Sequence, residues 1–216
     1  MQIKELLSQL QNVKYFAVSR DRYEKSRLIE WFGQVAESNS DWLIPCAQNF
    51  FEPSHPHHLS QLASWFKIEL PKELEDFYLS SNGAELFKIK YKSTNMNDYW
   101  HVRYEIFNIE QLLEKNRGIY QSFRSQLRPK SRYWDITKLN YFAFCSVGDG
   151  SYLAVSLDPS DNGTVFFLDQ EYGFLPYGIE STRDAYPRIA SSFTKWLTIL
   201  IKTYGEGGTG VQWIPL

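Results

Sequence analysis

Apolar and polar positions along the chain change period several times, and each change marks an element. Ile3, Leu6, Leu7 and Leu10 recur at helix spacing, as do Leu28, Ile29, Phe32, Val35 and Ala36, since residues three and four apart share one helix face. This predicts two short helices before Phe51, lying as a cover on a larger body. Pro53 and Pro56 in the stretch FEPSHPHH remove donors and hold the backbone extended, which predicts a linker. After the apolar run Leu59 to Phe66, a helix should follow Leu70-Pro71. Leu74, Phe77 and Tyr78 form its buried side and Asn82-Gly83 its end, the expected punctuation of Pro near the start and Gly past the close.

The period then falls to two. Leu86 to Lys92 is rich in strand formers, and from Tyr99 to Phe107 the apolar Trp100, Val102, Tyr104 and Ile106 alternate with His101, Arg103 and Glu105, the pattern of a half-buried strand. Asn108 is placed to cap a short helix containing Ile109, Leu112 and Leu113. Tyr141–Val147, Ser151–Leu157 and Thr164–Asp169 read as three strands joined by short Gly-containing connectors, so consecutive antiparallel pairing is expected. The clearest stripe is Ile189, Phe193, Trp196, Leu197, Leu200, Ile201 and Tyr204, entered through Pro187 and closed by Gly205; it predicts a helix lying against the sheet. The Gly-rich stretch from Gly205 to Leu216 reads as a mobile tail. The fold class expected is α+β, a mostly antiparallel sheet packed by helices, divided as an N-terminal helical extension (1–54), a main domain (55–205) and a tail (206–216).

Composition adds a core and removes some partners. With 43% hydrophobic and 17% aromatic residues in 216, the chain is far from the make-up of a disordered one. A net charge of −2 and a pI near 6.1 supply no global basic field, so nucleic acid is not expected as a direct ligand. Cys46 and Cys145 stand far apart in apolar surroundings with no Cys-x-x-Cys pair, and read as small buried hydrophobes. The N-terminus lacks the roughly 7–15-residue apolar core of a secretory signal, and no run reaches the ~18 apolar residues of a membrane span. The expected compartment is the cytosol, with no membrane partner.

Three stretches, in this order, resemble the SUKH superfamily, the Smi-Knr family named for fungal cell-wall regulators and abundant in bacteria. They are the Leu-Pro helix running to an Asn-Gly turn (LPKELEDFYLSSNG, Leu70 to Gly83), the strand pair around a Gly-Asp turn (VGDGSYLAVSLD, Val147 to Asp158) followed by GTVFFLD, and the closing helix IASSFTKWL (Ile189 to Leu197). The resemblance spans about Leu59 to Tyr204. It implies an α+β domain devoted to protein recognition, without a conserved catalytic set. Many bacterial members look like immunity proteins that neutralise toxins, often nucleases. The N-terminal extension and the basic stretch 111–140 depart from the family pattern.

Candidate chemistry is sparse. His55, His57, His58 and Glu52 form the one group of metal-ligand type, but Pro56 interrupts it and no His-Glu-x-x-His spacing occurs; no metal site is expected. DPSDNGTVFFLD, from Asp158 to Asp169, fits a calcium loop superficially, yet its second half reads as a strand and its last position lacks the bidentate Glu. GDGS at Gly148 to Ser151 is no nucleophile elbow, and GEGGTG is no phosphate loop. No catalytic residue and no cofactor are assigned. Charge is more telling: seven basic residues face two acidic ones between Gln111 and Asn140, and seven acidic residues face only Arg183 between Tyr141 and Tyr186. The bland reading is solvated loops. The sharper one is a docking face made by Asp149, Asp158, Asp161, Glu171 and Tyr172, where carboxylates steer a basic protein partner and tyrosine supplies contact area. A toxin that binds phosphates presents such a basic surface. A regulatory scaffold is the alternative, and a metal-dependent hydrolase on the His55–His58 group a third.

Overall fold

The computed structural model describes residues 2–38, 40–92, 99–126, 141–147, 150–168 and 187–209. Its strands are β1 (Tyr15–Ser19), β2 (Ala36–Glu37), β3 (Asp41–Phe50), β4 (Ala84–Tyr91), β5 (Tyr99–Ile106), β6 (Tyr141–Ser146), β7 (Tyr152–Ser156), β8 (Val165–Leu168) and β9 (Arg188–Ala190). The helices are α1 (Ile3–Gln11), α2 (Lys25–Phe32), α3 (Pro56–Phe66), α4 (Lys72–Tyr78), α5 (Ile109–Gln126) and α6 (Phe193–Lys202). All strand pairings are antiparallel, in the order β1-β3-β4-β5-β6-β7-β8-β9, with β2 also on β3. Short turns join β6 to β7 and β7 to β8, whereas β3 and β4 are joined through α3 and α4, and β5 and β6 through α5. The fold is α+β, with one large antiparallel sheet and helices packed on it.

The segment before residue 55 is helical only in part. The two amphipathic stretches do form α1 and α2, but the chain around them gives β1, β2 and β3, and Cys46 to Phe50 of β3 pair with β4. Pro45 hides this strand from sequence reasoning, because proline removes a ladder donor. It is tolerated where β3 changes neighbours: pairing with β1 ends at Pro45 and pairing with β4 begins at Cys46. Pro56, expected in a linker, instead opens α3 at a first-turn position where its missing N–H costs nothing.

One core lies under the sheet. Phe77 of α4, Phe144 of β6, and Phe193 and Trp196 of α6 meet edge to face, with Phe77–Phe193 and Phe144–Phe193 both at 5.3 Å and Phe144–Trp196 at 5.2 Å. Such pairs each add about 0.5–1.5 kcal/mol beyond area burial. The helices are fastened as well as packed. Thr194, in the first turn of α6, donates its N–H and hydroxyl to the Glu73 carboxylate, each at 2.8 Å, while Ser192 caps the same helix. Hence Ile189, expected in the helical stripe, belongs to β9, and the helix begins after Ser192.

On the opposite face, Ala143, Ala154, Phe166 and Leu168 form a smaller cluster with Ile119 of α5. Asn108 and Gln111 cap α5 reciprocally at 2.9 Å, and the helix is far longer than the sequence pattern suggests, entering the basic stretch. Asn116 explains its seat: its amide donates to Ala143 O and accepts from Ala143 N, both at 2.8 Å, beside the register shift of β6.

Two further expectations change. Part of the Gly-rich tail is packed: Glu206–Thr209 form a 3-10 turn, where Trp196 donates to Gly208 O at 2.7 Å and Tyr104 to Gly205 O at 2.6 Å. A side chain at Gly208 would run into Leu200 and Tyr104. In β5 the expected alternation holds only from Tyr104 onward. Trp100 is 55% exposed while Arg103 is buried: the β4–β5 register runs unbroken, and both strands change face together beside Phe87, whose φ is +51° and where β4 bulges against β3. A bulge moves subsequent side chains to the other face. Buried Gln48 repairs the ladder there, accepting from Phe87 N at 2.8 Å and donating to Val13 O at 3.1 Å.

Candidate partner-binding site

Of the five residues of the expected acidic face, Asp158 and Asp161 share the turn between β7 and β8; Asp149, Glu171 and Tyr172 lie outside the described residues. The turn is built by its own polar side chains. Ser156 N donates to Thr164 O at 2.8 Å and Gly163 N to Ser156 O at 2.9 Å, closing the loop, and Gly163 takes φ +83°. Asp158 Oδ1 accepts from Ser160 N at 2.9 Å and Ser160 Oγ at 2.8 Å. The Ser156 hydroxyl accepts from Asp158 N at 3.1 Å and donates to Asp161 Oδ1. Such local bonds are why Asp and Ser concentrate in turns. Their consequence is preorganisation: both carboxylates are held half-exposed on a fixed backbone, in a turn whose Pro159, Ser160 and Asn162 are exposed.

Gly163 sits against Pro71, 3.6 Å from its would-be Cβ to Pro71 Cβ, so the turn abuts the start of α4, with Glu73, Glu75 and Asp76. Lys72 bridges Glu75 at 3.1 Å and Asp76 at 2.9 Å. Glu73 and Glu75 in the first turn of α4 suit the helix dipole, and the Glu73 carboxylate is taken up by Thr194.

The remaining candidates are structural. Exposed His55 caps α3, its Nδ1 accepting from His57 N at 3.2 Å, and the rings of His55 and His57 lie 6.0 and 6.3 Å from that of His58. Among the described residues no group of His, Cys, Asp or Glu could hold a metal ion. In the calcium-like stretch, Asp158 Oδ1 and Asp161 Oδ1 already accept protein donors. Burial pushes the Cys46 thiol up to about 12, and Cys145 well above its usual value, so neither is a thiolate at neutral pH. His101 is half-buried, and burial, then the Arg103 charge, holds its pKa down.

The described residues thus form an α+β domain whose antiparallel sheet is packed by α4 and α6 and carries, between β7 and β8, a turn with two fixed carboxylates. Residues 53–199 match the SMI1/KNR4 family (SUKH-1), and the chain belongs to that family. The match runs from before α3 into α6 and includes every stretch on which the sequence resemblance rests. No curated protein matches the chain closely enough to serve as a relative. No described helix is long and apolar enough to cross a membrane.

Proposed function

We propose that the chain is a non-catalytic protein-binding module of the immunity type, which neutralises a basic toxin domain by docking it through the acidic face of Asp149, Asp158, Asp161, Glu171 and Tyr172. The observation that carries this reading is the β7–β8 turn, whose two carboxylates are fixed by the loop's own hydrogen bonds. Preorganised like charge of this kind raises association rates with an oppositely charged partner and costs little ordering on binding. Family membership supports a recognition role. A nuclease toxin suits the charge, since its phosphate-binding surface must be basic.

The test uses the intact chain as bait, followed by kinetics with the purified partner. The partner should present a basic surface, and association should slow steeply with added salt, because exposed charges are screened beyond about 10 Å at 0.1 M. Asp158→Asn with Asp161→Asn removes charge while keeping an oxygen acceptor for Ser160 and Ser156, and should slow association at least about tenfold, within the range electrostatic steering supplies. Unchanged kinetics in this variant and in Asp149→Lys with Glu171→Lys would remove the acidic face from the interface.

A further inference from the structure

The two edges of the sheet are protected in different ways. An edge strand offers unpaired backbone groups to any extended chain, and proteins blunt such edges with shortness, charge, proline or a cover. At one end β9 is three residues long and begins at Arg188, directly after Pro187. At the other end stands β1, whose sequence YFAVS holds no charge and no proline. Uncharged strands rich in aromatic and β-branched residues are the ones most prone to add further strands.

β1 is covered from the other end of the chain. In an antiparallel ladder, alternate residues turn their backbone groups toward the neighbouring strand and away from it. Phe16 and Val18 oppose Ile44 and Trp42, whereas Ala17 and Ser19 turn outward: Ala17 N donates to Tyr204 O at 3.0 Å, Ser19 N to the Glu206 carboxylate, and Ser19 O accepts from Arg22 N at 3.3 Å. Residues 204–206 therefore lie where the next strand would be. They cannot act as one, since Tyr204 and Gly205 take φ of +48° and +88°, outside the extended range. The cover is fixed from beneath by the Tyr104 hydroxyl on Gly205 O and the Trp196 indole on Gly208 O. Both β1 and this turn lie outside residues 53–199, so the strand and its cover accompany the family domain together.

We propose that the C-terminal turn is a guard that blocks strand addition at β1, and that the partner it excludes is a second copy of this chain. Two uncovered β1 strands are self-complementary. Antiparallel pairing about Ala17 lets the two copies of that residue exchange both backbone hydrogen bonds and sets Tyr15 against Ser19 on either side, with no charge to oppose it. Such a contact closes on itself as a two-fold dimer. The guard is separate from the β7–β8 turn and does not depend on its role.

The experiment compares the full chain with Gly208→Val and Gly205→Ala. A Cβ at Gly208 would lie 2.5 Å from the Tyr104 hydroxyl and run into Leu200, and one at Gly205 would lie 2.9 Å from Phe16 Cδ2 and 3.0 Å from Phe87 Cδ1, so each must push the turn off the core. Circular dichroism confirms that both fold. In sedimentation velocity over about a hundredfold range of concentration, each should reach twice the parent's mass at the upper end. Tyr15→Lys, a charge at an exposed edge position, added to Gly208→Val should weaken this association at least about tenfold. Amide exchange followed by NMR reads the guard directly. In the parent, Ala17 should be as protected as Phe16 and Val18; in the dilute variants Ala17 and Ser19 should exchange at least about tenfold faster, with Phe16 and Val18 unchanged, and protection at Ala17 should return as the dimer forms. The proposal is overturned if Ala17 exchanges freely in the parent, if the folded variants keep the parent's mass, or if Tyr15→Lys leaves their association as strong.

Discussion

Asn116 shows how a single polar side chain can decide where a helix sits. It is 2% exposed, and its amide bonds both backbone groups of Ala143, which lies beyond the residues that pair β6 with β5. Asn116→Leu keeps the volume and deletes both partners, and each buried group left unsatisfied costs about 1–3 kcal/mol. Urea unfolding should therefore show a loss on the order of 3 kcal/mol, as a lower midpoint at unchanged slope. A loss within error would assign those bonds no weight. Nothing in the sequence distinguishes this asparagine from the polar residues around it, since an amphipathic pattern assigns every polar side chain to solvent. Asp158 and Asp161 were legible as acidic turn residues, but the bonds that fix their carboxylates needed the closed loop.

Among the elements, α4 and α6 are read most directly from spacing and capping residues, yet the contact that joins them is non-local. Glu73 accepts from both Thr194 N and Thr194 Oγ1, 121 residues away, so the start of α6 is held from another helix as well as by Ser192. Removing a helix cap costs about 0.5–2 kcal/mol. Glu73→Ala should lose an amount of that order and speed hydrogen exchange at the first-turn amides of α6, with the centre of the helix unaffected. Uniform exchange along α6 would contradict the capping role. Strand β5 teaches the reverse lesson. Its existence followed from alternation, but its faces did not: β4 and β5 change face together beside Phe87, where β4 bulges against β3, leaving Trp100 in solvent and Arg103 buried.

At the scale of the whole molecule, the packed turn at Glu206–Thr209 ties the C-terminal region to the N-terminal strands. Ala17 N donates to Tyr204 O at 3.0 Å, and Glu206 lies near Asp41 and Arg22. Burial pushes the Glu206 carboxyl above its usual 4.5, the Asp41 charge adds to this, and Arg22 and the Ser19 backbone oppose it. The folded chain then holds that proton more tightly than the unfolded one. Its contribution to stability falls as pH rises from 4.5 through the folded value, and remains lower above it. Glu206→Gln should consequently raise the melting temperature at neutral pH, with the gain vanishing on acidification below 4.5. A gain that persists in acid would point to packing instead of charge.

The sequence by itself determined the α+β class, helices α4 and α6, strands β4 to β8 and the family, because each rests on spacing and punctuation within a few neighbouring residues. Only the tertiary structure decided that β1 to β3 extend the same sheet, that Trp100 faces outward, that Gly205 to Thr209 are packed, and that Glu73 of α4 holds the start of α6. Those outcomes depend on partners distant in sequence, as with Tyr104 and Gly205, 101 residues apart, and local pattern carries no information about which distant group will complete a hydrogen bond or cover a face.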